Sequence, residues 1–268
     1  MPAPKLEPLE LLDLSKCNTV NDIVKGMSKC SFGARMLGEV ADTLEEMIQY
    51  PHKPYIIYEG SPDSTLGKLI SEITYEKHWF EGILSMSEYA ALNGPTNNIL
   101  VIGRYSERYE EALNKPEQAL FINEYGLCRK NQVKDGHFPN VVFSSPDYVL
   151  PLLHCALLER RENKRTTITK LFRELKKYGE MAKTVAEGAL TGKKMIEDPE
   201  CTVFLTLSGA MTIAKMGLVI CDVIDNELVQ YVASTGALMA HGLVESIGLK
   251  HYKHNPKHSD KLLARQKL

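Results

Sequence analysis

The stretch from Cys201 to Asp260, CTVFLTLSGAMTIAKMGLVICDVIDNELVQYVASTGALMAHGLVESIGLKHYKHNPKHSD, decides the fold. Residues 202–207 (TVFLTL) are β-branched and apolar and read as a buried strand, Ser208 and Gly209 as a tight turn, and residues 211–224 as an apolar helix. The pattern then repeats. Residues 229–233 (VQYVA) read as a strand, Ser234, Thr235 and Gly236 as a turn, and residues 237–247 as a helix. Strand, turn and helix twice over make a parallel βαβα unit, because parallel strands need a crossover between them.

Ligands of a parallel sheet bind beyond the carboxyl ends of its strands, where loops meet helix N-termini. Here those places are Ser208, Gly209, Ala210, Met211 and Thr212, and Ser234, Thr235 and Gly236. Small residues let backbone amides approach a phosphate, and first-turn N–H groups with the helix dipole favour the anion. The four hydroxyls add donors. The same residues would also serve as ordinary helix caps after strands, and there is no full G-x-G-x-x-G to single out a dinucleotide.

Outward from this core, residues 19–50 carry apolar side chains at spacings of three and four. They read as two helices hinged around residues 31–33, ended by Pro51 and Pro54. Short apolar runs at residues 55–58, 99–102, 119–122 and 141–143 read as buried strands, with helices over residues 64–73 and 107–113 and a loop over 129–140. Beyond Pro146 the chain turns helical over residues 148–159, 167–178 and 180–197, and a basic run (Arg160, Arg161, Lys164, Arg165) reads as a solvated face, with phosphate binding as the alternative. Residues 1–18 form an extended arm and residues 250–261 a polar loop.

A shift of 148 lays residues 19–51 on residues 167–199 without a gap and with nine identities, a candidate internal repeat. YIIYEG followed by SPDSTLGKLI resembles a degenerate phosphate-binding loop, with Pro62 and Leu69 where a glycine and a hydroxyl residue belong. This gives a nucleotide-kinase-like activity as a lesser alternative, against an ordinary strand–turn–helix. His251, His254 and His258 are better read as a polar loop than as a metal site, and no metal is assigned.

The 268 residues carry a formal charge of −2, with 44% hydrophobic and 25% charged residues. That balance argues against nucleic acid or an anionic membrane as a partner. Six scattered cysteines without a C-x-x-C pair fit free thiols in a reducing cytoplasm, and the N-terminus shows no signal-peptide pattern.

The stretch quoted above closely resembles the deoxyhypusine synthase family, and more closely its bacterial and archaeal synthase-like members. The resemblance reappears in LLDLSKCNTVNDIVKGMSKCSFGARMLGEVADTLEEMI, so it covers residues 9–48 and 197–258. It implies an α/β fold with a parallel-sheet, NAD-binding (Rossmann-like) core, interrupted by an α/β insert. The segments would be an N-terminal helical part of the core (1–48), an insert of unassigned role (49–196), and a βαβα NAD-binding core (197–268). The last would be C-terminally truncated relative to the family. The implied activity is NAD-dependent transfer of an aminobutyl or aminoalkyl group. The group passes from a polyamine such as spermidine, through an imine on an enzyme lysine, to a lysine of a translation factor or another amine. The implied assembly is a homotetramer or a hetero-oligomer with a complete homologue, and a non-catalytic partner subunit is the alternative.

Carried over by position, Ser208, Gly209, Ala210, Met211, Thr212, Ser234, Thr235 and Gly236 look like NAD contacts, and His241 and Glu245 lie near the amine substrate. Where synthases proper carry paired acidic residues, this chain has Leu238, Met239, Ala240 and His241. No lysine here stands in a stretch matching the imine-forming lysine, so the catalytic residue is not assigned.

Overall fold

The computed structural model describes residues 6–92, 98–103, 112, 119–123, 141–253 and 258–265. Its centre is a five-stranded parallel sheet of β1 (Tyr55–Tyr58), β2 (Ile83–Leu84), β3 (Ile99–Ile102), β4 (Ala119–Asn123) and β5 (Val141–Phe143), in the order β2-β1-β3-β4-β5. Residues alternate between its faces. Ile56, Leu100 and Leu120 pack on one side against α2 (Phe32–Gln49), α3 (Thr65–Ser71) and α5 (Pro146–Glu162). Ile57, Val101 and Phe121 pack on the other against Met86 and Tyr89 of α4 (Met86–Ala91) and against Ala112. Cover on both faces is why these strands read as unbroken apolar runs. The four strands predicted in this region are present. The two-residue β2 is too short to leave a pattern, and the predicted 107–113 helix and 129–140 loop lie outside the described residues apart from Ala112.

Helix pairs frame the sheet. α1 (Val20–Met27) begins at a capping box: the Asp22 N–H donates to Thr19 Oγ1 (3.2 Å), and the Asp22 carboxylate accepts from the Thr19 N–H (3.0 Å). α6 (Ile168–Leu175) is capped by threonine too, the Lys170 N–H donating to Thr167 Oγ1 (3.3 Å) without the reciprocal half of the box, and α7 (Glu180–Glu197) follows. Leu171, Leu175, Ala182 and Ala186 complete the main core. The basic run is largely taken up by carboxylates. Arg160 is buried against Asn21, Asp42 and Glu45, Lys164 pairs with Glu162, and Arg161 lies over Trp79 at 5.9 Å.

The C-terminal part holds β6 (Phe204–Leu207) and β7 (Tyr231–Ser234), a parallel pair with Leu205 opposite Val232, and α10 (Gly236–Ser246) after the second turn. The sequence predicts one helix over residues 211–224. The structure has two, α8 (Ala210–Ile213) and α9 (Gly217–Asp225). They part at Lys215, whose φ of +67° ends the first turn of helix. The Met216 N–H reaches back to Met211 O (3.1 Å) and the Lys215 N–H to Thr212 O (2.9 Å), the pairing of a Schellman motif. A short α11 (Asp260–Arg265) ends the described chain. The N-terminal arm lies along this part: the Leu12 N–H donates to Lys215 O, and Pro8 bridges Tyr252.

Candidate active site at the strand ends

The two turns picked out from the sequence meet in space. A Cβ on Gly209 would lie 2.4 Å from Ala237 Cβ and 3.3 Å from Thr235 Oγ1, so glycine is what lets the turns touch. The Thr235 N–H donates to Leu207 O (3.3 Å), and the Thr212 hydroxyl donates to Leu238 O (3.4 Å). Thr212 is buried and works as a tie between α8 and α10. Ser208, Ala210, Ser234, Thr235 and Gly236 are exposed along the rim, with Met211 half-buried. No side chain caps the N-terminus of α10 at Thr235, and a Cβ on Gly236 would meet nothing within 4 Å. An uncapped helix start beside hydroxyls and an unhindered glycine can receive an anion such as a phosphate. These residues therefore fit the pyrophosphate of a dinucleotide.

One turn along α10 the structure assembles a cluster. His241 and Glu245 are four residues apart and share a face. The side chain of Lys215 is only 4% exposed and is paired with the Glu245 carboxylate, which also accepts from His251 Nδ1 (2.8 Å). The His251 ring stands edge-on to His241, 5.9 Å between centroids. Burial pushes the Glu245 carboxyl up, but hydrogen bonds from Lys215 and His251 outweigh it and hold the acid below its ordinary value. The contact through Nδ1 fixes the orientation of the His251 ring beside Lys215.

The sequence reading named His241 and Glu245 but not the role of Lys215 or His251. Lys215 interrupts an otherwise apolar stretch, and a charge in such a setting usually needs a buried partner. Among the described residues no group of three or more His, Cys, Asp or Glu is arranged to hold a metal, and His254 lies outside them. In the loop resembling a phosphate-binding turn, the Gly67 N–H is taken by Ser64 Oγ (2.9 Å), while Lys68 is exposed.

Between α9 and α10 runs an apolar groove of about 510 Å³, lined by Leu11, Leu218, Cys221, Leu238, Met239 and Leu243. β7 is exposed along its whole length. Phe204 and Tyr231 stack on the open sheet at 4.5 Å, with 64% and 57% of their surfaces in solvent. No described helix is long and apolar enough to cross a membrane.

The chain's C-terminal third matches known proteins. Residues 170–268 match the family model "Deoxyhypusine synthase". The match includes nearly all of α6 and α7, which the sequence reading assigned to the insert. A probable deoxyhypusine synthase 2 of Methanosarcina acetivorans is 33% identical over 89 residues, 33% of this chain and 26% of the relative. A probable deoxyhypusine synthase 1 of Methanosarcina mazei is 36% identical over 87 residues, 32% of this chain and 27% of the relative. A deoxyhypusine synthase-like protein of Chlorobaculum tepidum is 36% identical over 73 residues, 27% and 21% of the two chains. No solved structure matches. The chain thus spans about a quarter of the length of the curated relatives it matches, and over residues 170–268 it is similar to the deoxyhypusine synthase family.

Proposed function

We propose that the chain takes part in NAD-dependent transfer of an aminobutyl or other aminoalkyl group from a polyamine. The observation that carries this reading is the meeting of the two turns at Gly209 and Ala237, beside an uncapped helix start, inside the family-matched segment. Bound there, NAD would supply an acceptor for the hydride removed beside the amine nitrogen.

Ser208, Gly209, Ala210, Met211, Ser234, Thr235 and Gly236 would hold the cofactor, with Thr212 fixing the turns from behind. His241 stands about 7.5 Å along the α10 axis from Gly236, at 1.5 Å per residue, and it would face the amine. Glu245 already balances Lys215 and His251. Its part is then to orient His251, whose Nε2 can take a proton from an ammonium substrate before oxidation. The lysine that captures the aminoalkyl group is not assigned to this chain. The acceptor would be a protein lysine, as on a translation factor, or a small amine. The assembly would be oligomeric and cytoplasmic, in keeping with the free thiols of Cys17, Cys30, Cys155, Cys201 and Cys221.

A second reading, an NAD-binding subunit that is not itself catalytic and joins a complete homologue, is favoured by the exposure of β7 and of the apolar groove. Thermal melting tests both readings. A ligand at a hundred times its Kd adds about 2.7 kcal/mol. The transferase reading expects a rise with NAD that grows with spermidine or agmatine. A rise with NAD alone favours the binding subunit, and no rise with NAD rejects both.

A further inference from the structure

Lys77 and Trp79 flank His78, whose φ of +54° turns the chain sharply, and Asn163 ends α5 with the same φ. Side chains next to these two left-handed residues line an open, polar pocket of about 370 Å³. Lys77, Arg160 and Arg161 bring three cations to its wall, against the carboxylates of Glu45 and Glu162. The pocket lies outside the family-matched segment, residues 170–268.

The turn itself does not call for these side chains. A shift of 149 carries Ile56 opposite Ile83 onto Leu205 opposite Val232, the same parallel register, and His78 onto Glu227 (φ +56°). The hydrogen bond from the Glu81 N–H to Pro54 O (3.0 Å) recurs from the Gln230 N–H to Val203 O (3.0 Å). Yet Asn226 and Leu228 stand there in place of Lys77 and Trp79. The same turn is built with neither a cation nor an aromatic ring, so the backbone does not explain them.

The carboxylates of the pocket are already engaged. Glu45 accepts from Arg160 Nη1 (3.0 Å), as Asp42 does (2.9 Å), and Asn21 Oδ1 accepts from Arg160 Nε (2.6 Å). Glu162 is held by Lys77 (3.1 Å) and by Lys164 (2.7 Å). Donors are left over. The Arg160 side chain is only 4% exposed, yet its Nη2 has no hydrogen-bond partner among the described residues. Arg161 lies over Trp79 at 5.9 Å and pairs with no carboxylate among the described residues. A buried donor without a partner is costly, and a bound ion is one way in which proteins satisfy it. Guanidinium groups present their donors in a fork that matches phosphate oxygens.

We propose that this pocket binds the phosphate group of a small molecule, with Arg160 Nη2, Arg161 and Lys77 as its donors. Gln49 also lines the pocket and offers an amide to a hydroxyl of the ligand. This inference does not depend on NAD, and its test contains none.

Trp79 is the sole tryptophan of the chain, so its emission reports this pocket and not the strand-end turns. Sodium phosphate is titrated into the full chain, with sodium chloride adjusted to hold the ionic strength constant. A saturable change in Trp79 emission is expected, and sodium acetate in its place should give none. Arg161→Gln, at an exposed position, removes the cation over the ring and should weaken binding about tenfold or more. Lys77→Gln should do the same. Ribose 5-phosphate separates the two sources of the group. Binding about tenfold tighter than that of inorganic phosphate makes the ligand a phosphorylated metabolite, and equal or weaker binding makes it free phosphate. No change in emission with phosphate overturns the proposal. So does an equal change with acetate, or a titration that both variants leave intact.

Discussion

Gly209 and Ala237 touch across the two strand-end turns, with room for no side chain between them. Gly236, one residue away, faces open space. Two glycines in the same site are therefore present for different reasons, one for packing and one leaving room for a ligand.

Gly209→Ala is expected to cost about 1–3 kcal/mol by overpacking, lowering Tm with or without ligand. Gly236→Ala, at the start of α10, should leave Tm unchanged or slightly raised and weaken NAD. Thermal melts of both variants with and without NAD separate the two roles. Unweakened NAD binding by Gly236→Ala would remove the second turn from the cofactor site.

The Lys215–Glu245 pair makes a stability prediction. Lys215→Met leaves the partly buried Glu245 carboxylate with His251 alone and should cost about 1–3 kcal/mol, whereas Lys215→Met with Glu245→Leu should recover much of the loss. Because the Glu245 acid is depressed, its contribution is present above its unfolded value and lost as pH falls through the lower folded value. Denaturant melts below about pH 4 should therefore show the wild type approaching the double variant.

His154 acts over a different window. Burial chiefly, then the nearby Lys77 ammonium, pushes its imidazole down to about 4 despite the Glu162 carboxylate. The unfolded chain binds this proton first, so stability should fall as pH drops from about 6.5 toward 4. The loss is about 2 kcal/mol by pH 5. His154→Phe, beside Trp79, should flatten that slope in urea melts at pH 7 and pH 5.

The left-handed positions give a paired prediction. A side chain there costs roughly 1–2 kcal/mol, offset in part by the greater unfolded freedom of glycine. His78→Gly and Glu227→Gly should each stabilise by up to about 1 kcal/mol and raise Tm by a few degrees. A loss at either position would mean that its side chain contributes more than its backbone costs.

Much of this architecture was legible in the residues. Apolar runs bounded by Gly, Pro and Ser located Tyr55–Tyr58, Ile99–Ile102, Val141–Phe143 and Phe204–Leu207 because strand formation is encoded locally, by side-chain shape and turn residues. Apolar spacing located the helix pairs for the same reason, while the threonine caps at Thr19 and Thr167 were first seen in the structure. The repeat at a shift of 148 was visible as nine identities, but two amphipathic helix pairs share composition anyway, and only strand register and left-handed residues distinguish ancestry from convergence.

What the sequence by itself determined, then, is the order of the elements and the two small-residue turns. Tertiary structure decided the rest. It broke the helix at Lys215, because a buried lysine is held there by Glu245 and His251 from thirty or more residues away. It set Gly209 against Ala237 while leaving Gly236 clear, since contact between turns depends on how strands pair rather than on either turn alone. It also placed five paired strands in the part read as an insert and two in the family-matched part, because which strands find neighbours depends on long-range pairing that no local pattern records.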